Sequence, residues 1–409
     1  MRRTPVLVLD NLGYAQYHDQ EGKPFLPARD HDIRLVTDIA LITDATGTEL
    51  ELVLGVQTAD EDAAVEASDF ACGFGGTPVG AIVAISESLL IPAGRLREKH
   101  GLPGQTEAEA VAFRDKVMMK RRLAERGVRV PEFAPLAPAA ARSLARAHGT
   151  VVVKPRLGMG SVGVEILRTP EEVERCLDSN RFWLEELEVE EFVSGEQFHI
   201  DSVVDRGRVL AATVGRSMDP TTAYTDLLPY RDVALGPGTL CTELLEFNEA
   251  VLACFPEYTG VTHHEVFRTE SEMVFCEIGA RAGGGGVVAG FADRCGIDLN
   301  EVVVRTQLGR HIPAGVAVAD HLTGYVLIYS DAGRLAAPVT VPDRPWVVNA
   351  TVRAEAGTPV RRARHWGDYV AMVVVRGDTE AEVESRLAEV VDAVDISLVV
   401  ESGPDGEEA

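Results

Sequence analysis

The chain has 409 residues, of which 39 are Lys or Arg and 64 are Asp or Glu, so its formal net charge is −25. This length allows roughly two to four domains, and the 46% apolar and 25% charged fractions are typical of a globular protein rather than a disordered or collagen-like one. The charge of −25 disfavours nucleic-acid and anionic-membrane partners, because binding to either needs clustered cations. An anionic ligand is therefore expected to need a locally positive cleft.

Targeting signals are weak in this sequence. The first apolar run, at 6–9, is too short for the about 7–15 residues of a secretory signal core. No segment approaches the ~20 apolar residues of a membrane span, so we expect a cytoplasmic protein.

Six cysteines without a CxxC pair fit buried reduced thiols better than a disulfide framework or a zinc site: Cys72, Cys176, Cys241, Cys254, Cys276 and Cys295.

The first hundred residues alternate between strand and helix patterns, which predicts a parallel α/β sheet. The expected strands are 5–10, 33–37 and 50–54, and helical character is expected at 60–67 and 81–90.

A long helical pattern over 106–127 follows and ends before a proline-containing stretch. Further predicted strands lie at 151–167 (two strands joined by a glycine loop), 190–193, 198–204, 209–214 and 273–278. Beyond about residue 315 the pattern predicts strands at 324–328 and 369–375 and a helix at 379–394, with a frayed tail at 402–409.

The first candidate site is a strand that delivers Lys154 to a glycine-rich turn, 158–163. Glycines let backbone N–H groups approach a phosphate closely, and a lysine adds a point charge. The order differs from both common nucleotide motifs, because the lysine precedes the loop and a strand follows it. A plain hairpin with glycine at its turn is the alternative.

Two further segments carry candidate chemistry. The extended acidic segment 187–197 can offer backbone groups to an adenine edge and Gln197 to ribose hydroxyls, although a charged edge strand is the alternative. Glu265 and Glu277 lie on consecutive strands that a hairpin would place side by side. Two adjacent carboxylates repel unless one pairs with Arg281 or both hold Mg²⁺, which typically takes one or two carboxylates plus nucleotide phosphates.

These segments, in this order and preceded by the helix-forming stretch 113–131, resemble the ATP-grasp superfamily over roughly 113–310. The resemblance implies an α/β ATP-grasp fold with a parallel-sheet pre-ATP-grasp domain (1–112), a two-part ATP-grasp domain (113–315, lid subdomain about 130–195) and a small C-terminal α+β subdomain (316–409). Within the superfamily the chain looks most like the L-amino acid ligases, which join a carboxylate to an amine and make dipeptides.

The resemblance also implies roles for individual residues. The nucleotide would contact Lys116, Lys154, Gly158, Gly160, Ser161, Gly163, Glu190, Glu191, Val193, Gln197 and Arg216. The magnesium carboxylates would be Glu265 and Glu277, and the catalytic residues Arg281 and Lys154. The substrate would contact Arg281, Gly283, Gly284 and Gly285, although this glycine run also fits a tight strand-to-helix turn.

The sequence departs from the family at two positions. Gln197 stands where glutamate is common, and Gly279 stands where a metal-binding asparagine is common. His199, His263 and His264 are tempting bases, but a core role fits each as well, so no base is assigned.

The expected activity is ATP-dependent amide formation through an acyl phosphate, with ATP and Mg²⁺ as cofactors and a small-molecule carboxylate and amine as partners. The loop 217–239 is a candidate substrate contact, and a homodimer is the common oligomeric state. The alternatives are an ATP-grasp carboxylase, a purine-pathway-type ligase, and a nucleotide-binding regulatory protein without turnover.

Overall fold

The computed structural model describes residues 3–45, 49–313, 315–353 and 355–399. Within these ranges no helix combines the length and the apolar surface that crossing a membrane requires. All six cysteines are free and at least partly buried, as predicted. The tail 402–409, for which we predict fraying, lies outside the described residues.

The N-terminal unit contains β1 (Thr4–Leu9), β2 (His31–Asp38), β3 (Leu52–Val56), α1 (Glu61–Gly73), β4 (Ala81–Val83), α2 (Leu90–His100) and α3 (Glu107–Ala112). Its strands form a parallel sheet in the order β3-β2-β1-β4, as the alternating pattern predicts. At the end of β1, the buried Asp10 accepts hydrogen bonds from the amides of Leu12 and Gly13 and from the hydroxyl of Thr37. These bonds fix the loop that leaves the sheet.

The helical prediction for 81–90 is wrong, because residues 81–83 form β4 beside β1 and a helix begins only at Leu90. A short apolar run fits a buried strand and a buried helix equally well, so periodicity cannot decide between them. The pattern over 106–127 contains two helices, α3 and α4 (Lys116–Ala124). Between them Asp115 accepts hydrogen bonds from the amides of Val117 and Met118, which caps the new helix.

After α4 the chain forms a second unit that contains β5 (Phe133–Pro135), α5 (Pro138–His148), β6 (Val151–Pro155), β7 (Glu165–Leu167), α6 (Pro170–Ser179) and β8 (Leu187–Glu191). The four strands form an antiparallel sheet in the order β5-β8-β6-β7, which we call the lid sheet. The turn between β6 and β7 carries the glycines 158, 160 and 163.

The rest of the chain contains β9 (Glu196–Asp205), β10 (Arg208–Ser217), β11 (Tyr230–Ala234), α7 (Thr239–Leu252), β12 (Gly260–Arg268), β13 (Met273–Gly279), α8 (Val287–Cys295), α9 (Leu299–Gln307), β14 (Leu322–Ile328), β15 (Gly333–Leu335), β16 (Val347–Val352), β17 (Pro359–Val360), β18 (Ala371–Gly377), α10 (Glu380–Ala393) and β19 (Leu398–Val399). Eight of its strands form one antiparallel sheet, the central sheet, in the order β13-β12-β9-β10-β11-β14-β18-β16. The strands of the predicted C-terminal subdomain therefore extend the central sheet, while β17-β15-β19 form a small separate sheet.

One apolar cluster joins the N-terminal unit to the central sheet. It includes Val8 from β1, Val302 from α9 and Met372 from β18, each less than a tenth exposed. Packing of this kind fixes the distance between elements that are far apart in the sequence. The domain boundaries at 112 and 315 stay a prediction.

Candidate active site

A cleft of about 1860 Å³ lies between the N-terminal unit, the lid sheet and the central sheet. Its lining includes all of the predicted site residues except Gly163. It also includes residues from the C-terminal stretch, among them Arg353, Trp366 and Tyr369.

The two predicted magnesium carboxylates face each other on the hairpin β12–β13, where Glu265 is the direct partner of Glu277. Gln197 donates a hydrogen bond to Glu265 at 2.8 Å, and the ammonium of Lys116 lies 2.9 Å from Glu277. Burial raises the pKa of Glu277, but nearby cations, Lys116 foremost, lower it to about 2. Two carboxylates on neighbouring strands fit a Mg²⁺ ion, although Gly279 supplies no third side-chain oxygen.

The glycine turn of the lid sheet closes over the same residues. The ammonium of Lys116 donates to the carbonyl of Gly158 at 2.7 Å, which links α4 to the turn. Ser161 adopts a φ of 60° and donates from its hydroxyl to Thr221 at 3.0 Å. The turn therefore borders the cleft next to Lys116, a position from which it could cover bound phosphate groups.

Lys154 belongs to a buried ion network that the sequence motifs do not reveal. Its ammonium lies 2.6 Å from Glu190 and 3.9 Å from Glu188, and Lys120 forms ion pairs with both carboxylates. Burial raises the pKa of Glu190, but Lys120 and Lys154 more than compensate and lower it. Lys120 lies four residues after Lys116 on α4, and this i, i+4 spacing is the signal that could have revealed it.

Two of the predicted adenine contacts, Glu190 and Glu191, have carboxylates that already bind protein groups. Glu190 pairs with the two lysines described above. Glu191 binds Arg129 at 2.6 Å and accepts a hydrogen bond from the amide of Glu132 at 2.9 Å. Val193 lies beyond the end of β8 and lines the cleft, and its adenine contact stays a prediction. The side-chain amide of Gln197 donates a hydrogen bond to Glu265, and its ribose contact stays a prediction.

Arg281 is held by a carboxylate of the N-terminal unit. Its Nε donates to Glu87 at 2.6 Å, and Glu87 also forms an ion pair with Arg114. Burial raises the pKa of Glu87, but Arg281 and Arg114 lower it, so this carboxylate is ionised. Because 194 residues separate Glu87 from Arg281, no local pattern could have revealed the pair.

The glycine run after Arg281 packs against aromatic rings. A Cβ on Gly284 would lie 2.8 Å from the ring of Trp366, and a Cβ on Gly285, whose φ is +59°, would lie 2.7 Å from Tyr325. Both interpretations of the run, a tight strand-to-helix turn and a substrate contact, are compatible with this packing. The run leads directly into α8, which begins at Val287, and the N-terminus of a helix favours an anion. Gly283, Gly284 and Gly285 themselves line the cleft.

Two histidines near the cleft, His199 and His263, belong to a hydrogen-bonded cluster next to Gly283. The ring of His199 lies 2.7 Å from Asp201 and 3.0 Å from Asp232, and His263 lies 2.9 Å from Asp201. Burial lowers the pKa of His199, but Asp232 and Asp201 raise it well above its ordinary value. Both ring nitrogens of His199 are bonded to carboxylates, so this histidine is not assigned as a base.

Two other residues that the sequence singles out lie outside this group. Burial lowers the pKa of His264 to about 3, and its ring contacts Asn248, so it is a core residue. Arg216 lines the cleft, and its guanidinium lies 2.7 Å from Glu384 of α10, so its phosphate contact stays a prediction. The loop 217–239 contributes Tyr230 to the cleft.

Comparison with protein families agrees with this geometry. The model of the ATP-grasp domain matches residues 113–285, and the model of the L-amino acid ligase C-terminal domain 2 matches residues 325–399. Together the two matches cover more than half of the chain.

Individual proteins show the same similarity. An L-arginine-specific L-amino acid ligase of Bacillus subtilis is 26% identical over 261 residues, which are 61% of this chain and 62% of that protein. The alignment thus spans less than two thirds of the relative. The crystal structure of an L-amino acid ligase from Bacillus licheniformis superposes with a TM-score of 0.78 over 98% of this chain and 100% of that chain, at 17% identity.

A structure of a protein with different chemistry has the same fold. The biotin carboxylase domain of the 2-oxoglutarate carboxylase of Hydrogenobacter thermophilus, in complex with MgADP, superposes with a TM-score of 0.73 over 97% of this chain and 91% of that chain, at 15% identity. The predicted fold class is confirmed, and so is the predicted resemblance. The chain thus combines an ATP-grasp domain with the C-terminal domain 2 of the L-amino acid ligases.

Proposed function

We propose that this chain is an ATP-dependent ligase that joins the carboxylate of an amino acid to an amine through an acyl phosphate. The products are an amide or dipeptide, ADP and phosphate. The observation that carries the proposal is that one cleft brings together two lysines, a pair of carboxylates and a partly buried arginine: Lys116, Lys154, Glu265, Glu277 and Arg281. The match of residues 325–399 to an L-amino acid ligase domain favours this reaction over carboxylation.

In the first step, a carboxylate oxygen of the substrate attacks the γ-phosphorus of ATP, and the bond from that phosphorus to the ADP oxygen breaks. Such a transfer needs mainly positioning and charge neutralisation from the protein. Lys116 and Lys154 would neutralise the phosphates, and Arg281 would orient the attacking carboxylate. A Mg²⁺ ion held by Glu265 and Glu277 would supply further positive charge next to the phosphates.

In the second step, the amine nitrogen attacks the acyl carbon, and the bond between that carbon and the phosphate oxygen breaks. The negative charge that develops on the carbonyl oxygen needs donors in fixed positions. We infer that Arg281 and the backbone N–H groups of Gly284 and Gly285, which line the cleft, would supply these donors. The proton lost from the amine would pass to solvent or to the departing phosphate.

A screen of amino acids in pairs, with ADP release as the readout and mass analysis of the product, tests the proposal. Glu277→Ala and Arg281→Ala are expected to lower turnover by at least about 10³-fold, because each removes charge from the reaction centre. Arg344→Ala is the matched control, since this exposed arginine pairs with Glu389 outside the cleft. Undiminished turnover in both cleft variants, or ADP release that needs no amine, would overturn the proposal.

A further inference from the structure

Arg353 differs from the other cations of the cleft. Four other Lys and Arg side chains line it, and each lies within 4.0 Å of a carboxylate: Lys116, Lys154, Arg216 and Arg281. Among the residues that the structure describes, no carboxylate lies within that distance of Arg353. Its positive charge is therefore available to an anionic group that enters the cleft.

Contacts with uncharged groups hold the Arg353 side chain in place. The guanidinium stacks on the ring of Tyr369, with Cζ 3.7 Å from the ring centre. One terminal nitrogen donates to the hydroxyl of Tyr369 at 2.7 Å, and the other donates to the carbonyl of Gly367 at 2.5 Å. These contacts use two of the five N–H donors, so the planar fork keeps three donors for a carboxylate.

The loop 365–369 connects Arg353 to the reaction centre. Gly367, which accepts the hydrogen bond from Arg353, directly follows Trp366. The ring of Trp366 packs so closely on Gly284 that a Cβ on that glycine would lie 2.8 Å from it. In the same loop, His365 lies against Gly160 of the lid turn. The uncompensated cation is thus anchored to the loop that contacts both the glycine run and the lid turn.

We propose that Arg353 binds the α-carboxylate of the amine substrate and so selects amino acids over simple amines; this inference rests on the proposed ligase function. The carboxylate that is activated must lie at Arg281, and the phosphates have Lys116 and Lys154. The anion that lacks a cation of its own is the second carboxylate, which an α-amino acid carries next to its nucleophilic nitrogen. A guanidinium fork recognises such a group in a bidentate manner.

The test compares the most active amine-donating amino acid of the pair screen with its α-amide, at saturating ATP and carboxylate substrate. Arg353→Met is expected to lower kcat/KM for the amino acid by about 10–100-fold, as loss of a charged hydrogen-bonding partner would. For the amide the value should stay within about threefold of wild type, because the amide has no carboxylate to lose. Arg353→Lys should retain part of the preference, since lysine keeps the charge without the fork.

One control variant and two distinguishable outcomes complete the test. Arg344→Met removes an exposed arginine outside the cleft and should leave both values unchanged. Equal losses for the amino acid and its amide in Arg353→Met, or a raised KM for ATP, would overturn the role of Arg353 and leave the ligase function standing. Absence of ADP release by the wild-type protein with every pair would instead overturn the ligase function and this inference with it.

Discussion

The buried network around Lys154 allows the charge balance of the cleft to be tested by one substitution, Lys120→Met. Methionine has a similar length and an apolar end, and it leaves Glu188 and Glu190 with Lys154 as their one remaining cation in the network. Lys120 and Glu188 are both 0% exposed, so water cannot replace the lost ammonium. Removing one partner of a buried ion pair costs about 3–5 kcal/mol of unfolding free energy.

The loss should depend on pH in a defined direction. Burial raises the pKa of Glu188, and Lys120 is the cation that opposes this most strongly. Without Lys120 the pKa in the folded state rises further above the unfolded value of about 4.3. A group with a raised folded pKa stabilises the protein at low pH, and that contribution is lost as pH rises toward the folded pKa. Between about pH 5.5 and about pH 7.5 the variant should lose up to about 3 kcal/mol relative to wild type.

Urea unfolding at the two pH values measures this effect, and Lys99→Met is the matched control, because this lysine is exposed and its partner Asp69 is partly exposed. The double variant Lys120→Met/Glu188→Gln restores one cation for one carboxylate and should regain at least half of the loss. A loss that is the same at both pH values, with no recovery in the double variant, would refute the reasoning. The KM for ATP should also rise in Lys120→Met, because both carboxylates then compete for Lys154.

Three further outcomes are expected. Glu87→Gln should lower kcat by about 10–100-fold with little change in the KM for ATP, because Arg281 loses the charge that positions it; steady-state kinetics measures both. Gly284→Ala should lower kcat/KM at least about tenfold through its clash with Trp366, and Trp366→Leu in the same chain should restore part of it. Removal of divalent metal with EDTA should abolish ADP release without changing Tm, because the hairpin carboxylates are already held by protein side chains, and added Mg²⁺ should restore the rate.

The parts of the site that can be predicted from sequence are those made by neighbouring segments. The pairing of Glu265 with Glu277 follows from two strands joined by a short polar turn, which fixes the register locally. Lys154 can be placed because a strand and a glycine turn are adjacent in the chain. By contrast, the positioning of Arg281 by Glu87 depends on the docking of the N-terminal unit onto the central sheet, which no local pattern encodes.

The C-terminal residues of the cleft show the same limit. The sequence pattern predicts elements at 324–328, 369–375 and 379–394, and each range contains most of an observed element. Arg353 and Trp366 lie outside these elements, in connections that reach the cleft because β16 and β18 extend the central sheet. Their place depends on the order of strands in that sheet, which periodicity does not determine.

The net charge of −25 bears on how an anionic nucleotide can bind. The charge predicts a locally positive cleft for an anionic ligand, yet Lys116, Lys154 and Arg281 each contact a carboxylate in the structure. An anionic nucleotide must therefore exchange partners with at least one of these groups. The weakest point is Lys116, since its partner Glu277 is also a candidate Mg²⁺ ligand. Once Glu277 is bound to a cation, Lys116 is free to contact phosphate, so nucleotide affinity and magnesium affinity should rise together.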